Sequence, residues 1–361
     1  MKILIIHATA GAGHSKAAEA IFNGIKKHTT HDVRCVDTLD YTSPFYKALY
    51  KKTYTILISH FSLLWAFFFW VADIPFLLPV IQALRRFFNG LSARALEKFL
   101  ENEKFDYIFT THFFSNEVVS SLKEKNKISA KLICVITDFD VHSIWLAKNV
   151  DCYAVACELT KKKLEHFGVP AEKIAVTGIP TDEKFLAPKD QKELRIKLGL
   201  DVDLFTVLIA TGSFGIGPIG EIVGYLKDIQ CVVICGHNQK LTKKLSAIKT
   251  GKVKILGFVN NMNEYMAASD ALITKPGGLS ISEALVVGLP LVFFSAIPGQ
   301  ETNNVKALRA FGVGVSGLKT FEIAQEIQTL KASPDYLEAA KEKIKKIARS
   351  NSVCDIIKLV S

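Results

Sequence analysis

Lys275-Pro276-Gly277-Gly278-Leu279-Ser280-Ile281-Ser282-Glu283-Ala284, followed after one short apolar run by Pro298-Gly299-Gln300-Glu301, is the stretch on which the reading of this chain turns. Upstream, Asp270-Ala271-Leu272-Ile273-Thr274 is a continuous apolar run of strand length, and downstream Leu279, Ile281, Ala284 and Leu285 recur at a helical period. The glycines therefore fall at a strand-to-helix turn. Without side chains in the way, the amides of Gly278, Leu279 and Ser280 are able to approach an anion at the positive end of the helix dipole. Glu283, about one helical turn further in, is placed to accept hydrogen bonds from neighbouring hydroxyls. A diphosphate carrying a ribose fits that pair of features. Short glycine motifs also recur by accident, so one turn alone is weak evidence.

Two further turns strengthen it. Ala10-Gly11-Ala12-Gly13-His14-Ser15 follows the apolar run Lys2 to His7, and Thr211-Gly212-Ser213-Phe214-Gly215 follows Thr206 to Ala210. Asp32 to Val36 gives a second strand, and Tyr107 to Thr110, Leu132 to Thr137, Cys152 to Ala156 and Ile174 to Thr177 complete a first series. A helix over Ser15 to Lys27 packs through Ala17, Ala18, Ile21, Phe22 and Ile25. A polar stretch from Gly178 to Asp190 interrupts the rhythm, which restarts at Thr206 and continues through Val232 to Cys235, Lys254 to Leu256, Ala271 to Thr274 and Leu291 to Phe294. Alternation of strand, turn and helix predicts two doubly wound parallel sheets in series, with ligands at the C-terminal strand ends where the glycine turns lie.

At 361 residues the chain is long enough for about two domains, and its formal charge is +10. Residues 1 to 100 hold 12 Lys or Arg against 6 Asp or Glu, a basic excess suited to nucleic acid or anionic lipid. The seven cysteines form no CxxC pair and mostly occupy apolar runs, as small buried hydrophobes in a reducing compartment do. The N-terminal apolar run is too short for a signal peptide and reads as a first strand.

Thr53 to Ala72, TYTILISHFSLLWAFFFWVA, has no Lys, Arg, Asp or Glu across 20 residues. Lys47, Lys51 and Lys52 border it on one side and Arg85 and Arg86 on the other. Its length just suffices to span a bilayer, but the first sheet has still to be completed after it, and Asp73, Pro75 and Pro79 follow closely. An aromatic block with basic borders suits docking in the headgroup region of an anionic membrane, or a groove for a lipid acceptor, with core packing and a membrane-inserted segment as the alternatives. Single-strand nucleic-acid binders intersperse aromatics with basic residues, so no nucleic-acid partner is expected.

His14 is expected at a helix start, where the dipole disfavours imidazolium and keeps the ring available as a general base. Asp138, Asp140, His112 and His142 lie near other strand ends but lack the compact spacing of a metal site.

Taken together, the GAGH turn at Gly11 to His14, the Thr137-Asp138-Phe139 segment with His142 and Trp145, Thr177-Gly178-Ile179-Pro180, the Lys275 to Gly278 turn with Glu283, and Pro298-Gly299-Gln300-Glu301 with Asn304 resemble a known glycosyltransferase group. It contains the monogalactosyldiacylglycerol synthases and the processive diacylglycerol glucosyltransferases, with the lipid II N-acetylglucosaminyltransferase as a more distant relative. The resemblance runs nearly end to end. It implies an α/β GT-B fold of two Rossmann-like domains facing a cleft, with a C-terminal helix crossing back to the first. It also implies an inverting transfer of a hexose, glucose or galactose favoured, from a UDP-sugar to a membrane lipid such as diacylglycerol, with no tightly bound cofactor or metal. By position, His14 would be the base. Gly212, Ser213, Gly277, Gly278, Leu279 and Ser280 would hold the diphosphate, Glu283 the ribose, the backbone near Phe258 the uracil, and Gln300, Glu301 and Asn304 the sugar hydroxyls. Gly13, Asp138, His142, Phe61, Trp65, Phe68 and Trp70 are the residues expected toward acceptor and membrane.

The expected organisation is an acceptor and membrane-binding domain over 1–180, a linker over 181–195, a UDP-sugar domain over 196–345 and the crossing helix over 346–361, on the cytoplasmic face of a membrane. The oily block is more apolar, and the first turn poorer in glycine, than the resemblance leads one to expect. A transferase using UDP-N-acetylglucosamine on another lipid-linked acceptor, a UDP-sugar 2-epimerase and a non-catalytic lipid or nucleotide binder are the competing readings.

Overall fold

The computed structural model describes residues 1–9, 11–43, 47, 53, 61, 66–67, 70–71, 73, 93–187, 190–212, 215, 217–247, 252–294, 296–317 and 319–360. They form two compact units. The first comprises Met1–Asp182 with Ile297–Asn303 and Asn351–Ser361, the second Glu183–Ala296 with Asn304–Ser350.

The first unit is built on six parallel strands, β1 (Lys2–His7), β2 (Asp32–Asp37), β3 (Tyr107–Thr110), β4 (Lys131–Val135), β5 (Cys152–Val155) and β6 (Ile174–Val176), in the order β2-β1-β3-β4-β5-β6. Side chains alternate across a strand, and in the inner strands β1, β3 and β4 both faces are buried, while the edge strand β2 is partly exposed. Leu4 and Ile6 join a core with Leu96, Leu100, Val118, Val119 and Leu122, while Ile3 and Ile5 join a second core with Ala18, Ile21 and Ile25. That double burial is why the strands read as unbroken apolar runs. The helix Ser352–Ile357 brings the end of the chain onto the second of these cores through Ile356, as the crossing C-terminal helix was expected to do. It packs closely because Gly24 leaves room: a Cβ there would stand 2.2 Å from Val353 Cγ1.

The second unit has five parallel strands, β7 (Thr206–Ala210), β8 (Gln230–Ile234), β9 (Val253–Leu256), β10 (Ala271–Thr274) and β11 (Leu291–Phe293), in the order β11-β10-β7-β8-β9. Val207, Ile209, Val233 and Ile273 meet Ile219, Ile222 and Val223 of helix Ile219–Tyr225, and Ile323 and Ile327 of helix Thr320–Ala332. Its base is pinned by Arg195, which is 5% exposed. The guanidinium donates to the carbonyls of Ala268 and Val202 and to Asp270, whose carboxylate also accepts the Thr206 amide.

Each sheet contains one place where the strand order reverses, and ligands collect at the carboxyl ends of such pairs. In the first unit it lies between β1 and β3, with Ile6 beside Thr110; in the second it lies between β7 and β10, with Ala210 beside Thr274. All three sequence-predicted glycine turns leave strands of these two pairs.

One boundary differs from expectation. The first helix spans Ala12–His28, three residues earlier than its apolar period suggested, because Gly11 caps it at φ 149° and ψ 155°, a backbone conformation suited to glycine. Gly13 and His14 therefore belong to the first helical turn. Fourteen of the 20 residues of the Thr53–Ala72 block, Trp65 and Phe68 among them, lie outside the described residues. Of it, Phe61, Phe67 and Trp70 are 54%, 55% and 63% exposed. Among the described residues no helix is long and apolar enough to cross a membrane.

Candidate active site

His14 projects from the first turn of helix Ala12–His28 beside the β1/β3 reversal. Its Nδ1 lies 2.7 Å from the Thr111 carbonyl and 2.9 Å from Thr137 Oγ1, while Thr111 Oγ1 donates to the His14 carbonyl at 2.9 Å. A carbonyl oxygen only accepts, so Nδ1 carries the proton and Nε2 keeps its lone pair. Burial lowers the His14 pKa to about 4; the bond to the Thr111 carbonyl opposes this and the proximity of His7 adds to it. The ring is neutral at pH 7.

Around it stand His112, 4.8 Å away edge-on, and Trp145, at 6.1 Å between ring centroids. Trp145 sits on the short turn Ser143–Trp145, and Asn116 Nδ2 holds its carbonyl at 2.9 Å. The turn's exposed amides are capped: His142 Nδ1 accepts from Ile144, and Asp73 Oδ1 accepts from Ser143 at 3.0 Å. His112 similarly caps helix Phe113–Glu124 by accepting the Phe114 amide. Asp140 pairs with Lys163 at 2.7 Å. Of the four residues weighed as metal ligands, these three are already engaged in caps or an ion pair. The fourth, Asp138, is 5% exposed and accepts from Gln300 Nε2 at 2.8 Å. That bond orients the Gln300 amide and leaves Oε1 as an acceptor for a hydroxyl. Glu301 folds back to accept the Ile297 amide at 2.7 Å.

In the second unit, Gly277 caps helix Gly278–Val287 and has no side chain to offer its first amides. The first bond of the helix runs from Ile281 to the Gly277 carbonyl, so the amides of Gly278, Leu279 and Ser280 precede the intrahelical ladder. Asn304, fully buried, donates from Nδ2 to the Pro276 carbonyl at 3.1 Å and so braces this turn from behind. Glu283 lies half-buried on the same helix. Gly212 follows β7, the strand paired with β10, while Ser213 lies outside the described residues. The exposed ring of Phe258, just beyond β9, stacks on His237 just beyond β8, with centroids 4.5 Å apart and planes 10° from parallel. A flat ligand has an aromatic platform there.

The structure thus gathers His14, Asp138 and His142 with Gln300 and Glu301 in the first unit, and the Gly277–Ser280 amides with Glu283 and Asn304 in the second. Thr111 carried no signal in the sequence, and Thr137 and Asp73, though noted there, carried none of the bonds they make here. Their partners lie 97, 123 and 70 residues away, and a lone Thr or Asp carries no local signal of such a bond.

The fold matches the MurG protein of Acinetobacter baumannii with a TM-score of 0.64 at 17% identity, covering 100% of this chain and 99% of that one. It matches the UDP-GlcNAc 2-epimerase of Neisseria meningitidis, bound to UDP-GlcNAc, with a TM-score of 0.63 at 16% identity and the same coverage. The architecture is that of the GT-B class. Residues 14–181 match the monogalactosyldiacylglycerol (MGDG) synthase family and residues 206–359 the glycosyltransferase family 28 C-terminal domain. A processive diacylglycerol beta-glucosyltransferase of Staphylococcus aureus is 32% identical over 322 residues, which cover 87% of this chain and 80% of the relative. The chain belongs to this glycosyltransferase family, and it is a hexosyltransferase.

Proposed function

We propose that the protein transfers a hexose with inversion from a UDP-sugar to the hydroxyl of diacylglycerol or of a glycosyl-diacylglycerol, working as a peripheral protein on the cytoplasmic, anionic face of a membrane. The observation that carries this reading is the tautomer of His14. With Nδ1–H spent on the Thr111 carbonyl, Nε2 is the one ring nitrogen available to take a proton.

In the displacement, the acceptor oxygen bonds to the anomeric carbon as the bond from that carbon to the diphosphate oxygen breaks, its electron pair leaving with UDP. The hydroxyl proton passes to His14 Nε2. A ring with so low a pKa does not deprotonate a free alcohol. It takes the proton late, once the attacking oxygen has begun to bond and turned strongly acidic. Charge grows on the departing diphosphate, where the Gly278, Leu279 and Ser280 amides at a helix N-terminus stabilise it electrostatically. Glu283 serves the ribose, the Phe258 platform the uracil, and Gln300 Oε1 a sugar hydroxyl, with Glu301 beside it. Asn304 acts by bracing the Pro276 turn. This chemistry calls on no tightly bound cofactor.

The exposed Phe61, Phe67 and Trp70 and the basic balance of the first 100 residues support docking on anionic lipid. The test is incubation with UDP-glucose or UDP-galactose and vesicles containing diacylglycerol, with mass spectrometry of the lipid extract. A glycosyl-diacylglycerol product is expected, and His14→Ala should lower its rate about a hundredfold or more. UDP release without lipid, or a variant as fast as wild type, would sink the reading.

A further inference from the structure

The geometry points to Asp73 as a positioning residue that couples membrane docking to the surroundings of His14; this rests on the docking reading above. The Asp73 amide donates to the Trp70 carbonyl at 3.0 Å, which ties Asp73 directly to the exposed Trp70. The same residue's carboxylate reaches into the unit, accepting from the Ser143 amide at 3.0 Å. His142 Nε2 lies 3.8 Å from the same oxygen, and because His142 Nδ1 accepts the Ile144 amide, Nε2 is the nitrogen that carries a proton toward Asp73.

These bonds cap the turn Ser143–Trp145. A turn this short makes few bonds of its own, since the Trp145 amide reaches the His142 carbonyl and the Leu146 amide the Ser143 carbonyl, both at 3.0 Å. Asn116 Nδ2 anchors its far end at the Trp145 carbonyl, and its near end is set by the two caps, of which Asp73 supplies one. What it aims is Trp145, 3% exposed, whose ring faces His14 and packs edge-on to Phe113 at 6.4 Å. The other end of the loop holds His14 through Thr137 Oγ1. A path of four contacts thus runs from an exposed tryptophan to the base: Trp70 to Asp73, Asp73 to Ser143, Ser143 to Trp145 along the turn, and Trp145 to His14. When Trp70 enters the lipid interface, Asp73 is held in place and the loop around His14 is fixed. With Trp70 in water, the Asp73 cap on Ser143 is held less firmly and the acceptor hydroxyl meets a less ordered base.

The measurement is the ratio of kcat on diacylglycerol in anionic vesicles to kcat on a short-chain diacylglycerol dispersed in solution, together with sedimentation of the protein with those vesicles. Wild type should sediment with the vesicles and show a ratio of about five or more. Asp73→Ala should sediment equally well but show a ratio near one, with UDP affinity unchanged. Asp73→Asn keeps an oxygen acceptor for Ser143 and should fall between the two; it is the deciding variant if Asp73→Ala does not fold. Variants with the wild-type ratio, or a wild-type ratio near one, would overturn the coupling. Failure of wild type to sediment at low salt would instead overturn the docking reading itself.

Discussion

At the scale of single residues, the Thr111 carbonyl decides what His14 is able to do. It accepts the hydrogen bond from Nδ1–H, fixes the tautomer and orients the ring, while burial keeps the ring uncharged. A consequence for stability follows from linkage. The folded pKa of about 4 is below the ordinary 6.5, so between these values the unfolded chain binds a proton at His14 that the folded chain does not. Stability from this group is therefore present above pH 6.5 and is lost as the pH falls toward 4. Replacing His14 with Gln, which retains a donor for the Thr111 carbonyl, removes the titration. The urea midpoint of His14→Gln should drop less than that of wild type between about pH 6.5 and pH 4.5; equal drops would show that His14 does not titrate in this window. The same depressed pKa predicts that the rate loses no proton acceptor at this position until well below pH 6.

At the scale of elements, close approach matters more than propensity. Gly24 and Gly224 are both helical glycines, and alanine at either gains up to about 1 kcal/mol in helix propensity. At Gly224 a Cβ meets nothing within 4 Å, so Gly224→Ala should stabilise the second unit. At Gly24 a Cβ would lie 2.2 Å from Val353 Cγ1, and Val353 is a β-branched residue, 3% exposed, with little room to turn away. Overpacking of this kind costs about 1–3 kcal/mol, which outweighs the propensity gain. Gly24→Ala should lower, and Gly224→Ala raise, the unfolding midpoint; a rise at both would mean that helix Ser352–Ile357 is not held where it lies. The strands were legible in sequence because parallel strands buried on both faces are unbroken apolar runs: Lys2–His7, Tyr107–Thr110, Thr206–Ala210 and Ala271–Thr274 were read to the residue. The start of the first helix was not, because it depends on the backbone angles of Gly11 and not on an apolar period.

At the scale of the whole molecule, the sequence signalled the glycine turns and the histidine but not the bonds that give them direction. Asp138 with Gln300 is a pairing across 162 residues, and Thr181 donates its amide to Ser352 Oγ across 171; topology alone brings such groups together. Dependence on distant chain also separates the two units experimentally. Truncation after Ser350 removes Ile356, 0% exposed and part of the core with Ile3, Ile21 and Ile25, and Val353, 3% exposed and packed against Gly24. Losing each large buried aliphatic costs about 2–5 kcal/mol, and a domain's whole stability is about 5–15 kcal/mol. The first unit should therefore unfold or approach its midpoint at room temperature. The second unit keeps its own core, from Val207 and Ile209 to Ile323 and Ile327, and its Gly277 to Ser280 turn. The truncated chain should accordingly bind UDP within a few-fold of wild type while sugar transfer is abolished and the first unit's calorimetric transition disappears. Loss of UDP affinity in step with transfer would mean that the diphosphate is not held by the second unit alone, and full transfer would mean that the helix Ser352–Ile357 is dispensable to the first.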